Sequence, residues 1–194
     1  MNPSTSQAIS HPPGYHVSVR GHRLWIEEEG RGDPVLLLSG FGPAGSHLTF
    51  HPHFSALADS HRVIYCDLHG RGKSDRPADL AEITFNGDVA DVAELISSLK
   101  RGPVHLYGFS YGGLIAQELA ISFPDLIRTV TLANTLHSPE MWQLNHVNIN
   151  RELLRRSSEP VRVYLSEVDR SGFRIQPGIA RTERREGVFE RSRT

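Results

Sequence analysis

The chain has 194 residues, 38% hydrophobic and 22% charged, with a formal net charge of -1, which suits one domain with its own core rather than a disordered or fibrous chain. That charge gives no electrostatic reason to expect nucleic acid, and no apolar run approaches the roughly 18–20 residues of a membrane span. A single cysteine, Cys66, and an N-terminus with neither a basic start nor an apolar core segment make a cytoplasmic location the expectation.

Residues 1–13 read as unstructured. Residues 15–20 (YHVSVR) alternate and predict a strand, which the Gly21-His22 turn joins to a second at 24–29 as a hairpin. Residues 35–38 (VLLL), 62–67 and 104–107 are apolar runs of the kind found in parallel strands covered on both faces. A further strand is predicted over 127–132. Between them Val89, Val92, Ala93, Ile96 and Leu99 form an amphipathic helical stripe, and 112–122 is apolar nearly all round, as a central helix is. A hairpin followed by alternating strands and helices implies an α/β fold with a mostly parallel sheet.

Three loops carry chemistry. Gly108-Phe109-Ser110-Tyr111-Gly112 joins a buried strand to a helix, a context in which the central serine is exposed on a strained turn and serves as nucleophile. The alternative is a serine that only caps the helix. Ser39-Gly40-Phe41-Gly42-Pro43 follows the first buried strand, where such a site takes one of its two oxyanion donors. The backbone N–H groups of Phe41 and Tyr111 are the matching positions. Asp67-Leu68-His69-Gly70-Arg71-Gly72-Lys73-Ser74 ends like a phosphate-binding loop, yet its spacing fits neither nucleotide motif, and Asp67 with the glycines reads as a tight structural turn. His105 reads as a packed core histidine. His47, His51 and His53, with Pro52 among them, read as surface residues and not as a metal site.

These three stretches, in this order and spacing, resemble the α/β-hydrolase superfamily over about residues 14–150. The run 113–120 (GLIAQELA), with Phe123-Pro124-Asp125, Leu132-Ala133-Asn134-Thr135 and 136–142 (LHSPEMW), resembles the proline iminopeptidase branch in particular. The resemblance implies a cofactor- and metal-independent serine hydrolase that cleaves an N-terminal proline, or a related amide or ester, from a small molecule or short peptide. A small ester or lactone is the alternative substrate, and a catalytically incomplete α/β-hydrolase-like protein the alternative class. It also implies a core over 14–137 and the start of a helical cap within 138–194. One departure stands out: the branch's His-Gly-Gly-Pro-Gly loop reads Ser39-Gly40-Phe41-Gly42-Pro43 here.

The triad's acid and histidine are not identifiable. After Ser110 only His137 and His146 remain, with Asp125 and Glu140 ahead of His146. His137, Glu140 and His146 follow too closely on the last strand to occupy loops after later strands, and Asp125 precedes that strand. Residues 151–194 hold eleven Arg, no Lys and no His, against ten Lys/Arg and all eleven His before them. That abrupt shift is the basis for expecting a truncated or frame-shifted chain there, a divergent cap region being the alternative.

Overall fold

The structure is a computed structural model that describes residues 11–41, 45–79 and 82–138. The expectations for most of the N-terminal segment, for the cap and for the Arg-rich tail lie outside the described residues.

Strands β1 (Gly14–Val19) and β2 (His22–Gly30) form the predicted hairpin. Val19 pairs with His22, leaving a two-residue turn in which Arg20 (φ 43°) and Gly21 (φ 92°) are both left-handed. That is the twist a tight hairpin needs. Four parallel-type strands follow: β3 (Pro34–Leu38), β4 (Arg62–Cys66), β5 (Val104–Phe109) and β6 (Ile127–Ala133). The sheet order is β1-β2-β4-β3-β5-β6, antiparallel as far as the β2–β4 pair and parallel from there on.

Both faces of the central strands are buried, with side chains alternating between two cores. Leu36, Leu38, Ile64, Cys66 and Leu106 pack against helices α2 (Phe85–Leu99) and α3 (Tyr111–Ser122). Val35, Leu37, Val63 and Tyr65 face the other way, onto Phe50, Phe54 and Leu57. Those three belong to a run of short helical turns around α1 (His51–Phe54), which the polar, Pro-containing sequence did not announce. Helix α2 begins four residues before the stripe suggested, because the Thr84 hydroxyl accepts a hydrogen bond from Gly87 N–H at 3.0 Å and caps it there.

His105 corrects an expectation. It is no core residue but a side chain 27% exposed, whose Nδ1 lies 2.8 Å from Thr129 Oγ1. The cause is the alternation along β5: Val104 and Leu106 point into the α2/α3 core, whereas His105 points to the face that the short turns cover only in part.

Candidate functional site

The order of the strands places the site. The chain leaves β3 for β4 on one side and returns to β5 on the other, so the loops after β3 and β5 diverge at a topological switch point. In open α/β sheets ligands bind in the crevice that this opens. Both predicted loops end there, and a Cβ on Gly40 would lie 3.3 Å from the Cβ of Ser110.

Ser110 has φ 52° and ψ -115°, a conformation that L-residues avoid. Several bonds hold it. Its N–H donates to Ala133 O at 2.9 Å, and its carbonyl accepts from Gly113 N–H at 3.0 Å and from the Thr135 hydroxyl at 2.7 Å. Gly112 N–H donates to Ser39 O at 3.0 Å, tying the turn to the end of β3. Glycine is required beside the serine on steric grounds: a Cβ on Gly112 would stand 2.2 Å from Leu38 O, and one on Gly108 would stand 2.5 Å from Gly112 O. Ser110 occupies the cap position of α3, yet its side chain makes no cap hydrogen bond. The simple capping alternative therefore fails.

Beneath the turn sits a polar group that sequence reasoning missed. The Tyr111 hydroxyl donates to Asp88 Oδ2 at 2.7 Å, and both terminal nitrogens of Arg71 reach the same oxygen at 3.1 Å. The Arg71 guanidinium also lies 5.3 Å from the ring centre of Phe41 and 5.0 Å from that of Tyr111, and the two rings meet edge to face. Residues 41 and 111, the two predicted oxyanion positions, are thus packed on one buried cation. Burial, then the Asp88 charge, drives the Tyr111 hydroxyl well above its ordinary pKa. The signal in the sequence was an aspartate on the apolar side of a helix, Asp88 three residues after Phe85 and four before Val92.

The Asp67 loop is structural, as expected. Asp67 accepts hydrogen bonds from the backbone N–H groups of His47 (2.7 Å) and Lys73 (2.8 Å), and its carbonyl accepts from the Ser74 hydroxyl (2.7 Å). The loop's own carboxylate fills the place an anion would take, and a Cβ on Gly72 would meet it at 2.0 Å.

His47 and His51 overturn the surface reading: both are buried, and only His53 is exposed. His47 Nδ1 lies 2.8 Å from Asp67 Oδ2 and its Nε2 lies 3.0 Å from Glu27 Oε1, while His51 Nε2 lies 2.9 Å from Glu27 Oε2. Glu27 also accepts from Trp25 Nε1 and Lys73 Nζ, each at 3.0 Å. Burial alone would raise the Glu27 pKa, but these donors and the nearby His47 outweigh it and hold it below the usual value. The group clips the far end of the Ser39–His47 loop to β2 and β4.

The remaining sequence candidates do not converge. Asp125 follows α3 at the end opposite Ser110, roughly 18 Å away at 1.5 Å per residue. His137 is exposed, and Glu140 and His146 lie outside the described residues. Among the described residues no side chain hydrogen-bonds the Ser110 hydroxyl.

A family model described as the alpha/beta hydrolase fold matches residues 33–158, well over half of the chain. The chain belongs to the α/β-hydrolase fold family. This α/β-hydrolase is 37% identical over 114 residues to a Mycobacterium tuberculosis protein whose name is that of a non-heme bromoperoxidase, BpoC, covering 58% of this chain and 42% of that one. It is 32% identical over 130 residues to a proline iminopeptidase of Heyndrickxia coagulans, covering 66% and 44%. Its fold matches the epoxide hydrolase VrEH1 of Vigna radiata with a TM-score of 0.60 at 26% identity, over 65% of this chain and 39% of that one. The chain thus spans about two fifths of the length of these proteins. Among the described residues no helix is long and apolar enough to cross a membrane.

Proposed function

We propose that Ser110 is the nucleophile of a serine hydrolase acting on an acyl compound. The observation that carries this reading is the Ser110 turn itself: strained, held by four backbone-directed hydrogen bonds, its hydroxyl unused as a cap, and set against the Gly40 loop at the switch point. In the reaction Ser110 Oγ attacks the substrate carbonyl and its proton passes to a general base, which the described residues around Ser110 do not include. The oxyanion forms against the N–H groups of Phe41 and Tyr111, and the leaving amine or alcohol departs with the proton. Water then hydrolyses the acyl-serine. No metal or cofactor enters this scheme.

For the substrate we favour an N-terminal proline amide or a related amide, on the branch-like run from Gly113 to Trp142 and on the proline iminopeptidase among the relatives. A small ester or lactone is the second reading, supported by the loop. Ser39 replaces the branch's histidine, and its buried hydroxyl makes no hydrogen bond among the described residues.

A fluorophosphonate probe on the folded 194-residue chain tests the first step and asks whether this chain supplies the base and acid. The expected result is rapid labelling that Ser110→Ala abolishes. Labelling that persists in Ser110→Ala, or none in a folded sample, overturns the claim that this serine is activated here. Proline anilide against short p-nitrophenyl esters then separates the two substrate readings.

A further inference from the structure

Away from the Ser110 crevice, a polar cavity of about 180 Å³ lies between the β1–β2 turn, the Asp67 loop and the first turns of α2. Its wall contains His22, His69 and Asp91, whose donor atoms all lie within 4.8 Å of one another. His22 Nε2 lies 2.8 Å from Asp91 Oδ2, and the imidazoles of His22 and His69 stack at 3.8 Å between centroids, 11° from parallel. The other carboxylate oxygen carries the argument. Asp91 is 3% exposed, lines this cavity, and its Oδ1 accepts no hydrogen bond among the described residues, the Arg20 guanidinium standing 3.7 Å off.

A buried carboxylate oxygen that accepts no hydrogen bond, with its nearest cation 3.7 Å away, is costly, and two imidazoles beside it add lone pairs of their own. Neighbouring Asp88 does not share this deficit, since Arg71 and Tyr111 satisfy it. We propose that His22, His69 and Asp91 form a binding site for a divalent cation of the zinc class. Two neutral imidazoles and one carboxylate are a borderline donor set, suited to Zn²⁺, Co²⁺ or Ni²⁺ and poorly suited to Ca²⁺ or Mg²⁺, which prefer oxygen. Donors bound at ~2.0–2.1 Å to a tetrahedral ion stand roughly 3.3 Å apart, so the His22–Asp91 pair, now at 2.8 Å, opens slightly while the wider separations, none above 4.8 Å, close by no more than about 1.5 Å. Stacked rings cannot both present a nitrogen in plane to one ion. Binding therefore tilts one of them, and half-buried His69, on a loop, is the freer. The site owes nothing to Ser110 and stands or falls separately from the hydrolase reading.

Chelator-stripped 194-residue chain is titrated with Co²⁺, followed by its visible absorption, and with Zn²⁺ in competition with a chromogenic chelator. The expected result is one equivalent bound, with a raised melting temperature. His69→Gln and Asp91→Asn should each weaken binding by at least the roughly 10–100-fold seen when even the supporting partners of metal ligands are removed. His51→Gln, which alters the other buried histidine–carboxylate group, should leave the affinity unchanged. Circular dichroism without metal reports whether each variant is folded, and His69→Gln, at a half-buried position, keeps the test open should Asp91→Asn not fold. Absence of stoichiometric binding, or binding that is indifferent to both substitutions or lost equally in His51→Gln, overturns the proposal.

Discussion

At the scale of single residues the Ser110 turn shows how backbone geometry excludes side chains. The two glycines Gly112 and Gly102 lie at opposite extremes. Gly102 has φ +80° with open space around it, so a methyl there meets only conformational resistance, about 1 kcal/mol. Gly112 has no unusual φ, but its added Cβ would press on Leu38 O at 2.2 Å and Ser39 O at 2.7 Å, both backbone atoms that cannot rotate away. Gly112→Ala is expected to cost about 3 kcal/mol, since the turn and the end of β3 must separate. Urea unfolding of the two alanine variants checks this, and equal midpoints would refute the steric account. The turn was legible because its motif is local, with strand, turn and helix contiguous in the chain. Asp88 and Arg71 beneath it were not, because their pairing spans 17 positions and a helix-face aspartate ordinarily faces water.

At the scale of elements, legibility followed how each element is stabilised. The runs that became β3 and β4 are apolar on both faces, and that of β5 on one, which leaves few alternatives once their length is that of a strand. The turns over 47–59 are instead held by partners that the fold brings from afar. His51 meets Glu27 across 24 positions and His47 meets Asp67 across 20, so their local spacing suggested scattered surface histidines. This clip should be sensitive to acid. Burial lowers the His51 pKa below its usual 6.5, the Glu27 charge opposing it only in part. The unfolded chain therefore takes up a proton first, and stability falls as pH drops below about 6.5. Glu27, its pKa held below 4.5, contributes stability that is present above that value and is lost as pH falls through its lower folded pKa. The predicted profile loses stability in two stages on acidification. His51→Gln should shrink the upper stage, His69, whose pKa burial also lowers, supplying the remainder, and leave the region above pH 7 flat. Denaturation midpoints between pH 2 and 8 measure it, and an unchanged upper stage in the variant would sink the assignment.

At the scale of the whole molecule the described sheet is unevenly protected. On one side β1 ends the sheet as half of a hairpin. On the other, β6 has no strand along its outer edge among the described residues, and Arg128, Thr129, Thr131 and Leu132 are exposed on it. Exposed apolar side chains accompany it: Leu132 on β6 itself is 46% exposed, and Ile121 and Phe123, at the end of α3, are 76% and 39% exposed. An edge that offers unpaired backbone groups beside apolar side chains is a template for another chain. The formal net charge of -1 supplies little repulsion to prevent it near neutral pH. Any self-association of the 194-residue chain with rising concentration is thus expected to run through this edge. Leu132→Lys places a charge on this edge at a site exposed enough to tolerate it, so association should weaken while the melting temperature holds. Sedimentation velocity over a concentration series decides the matter: a chain that stays monomeric throughout would show that the β6 edge is no such template, and a variant that associates as strongly as the parent would show that β6 is not the surface responsible.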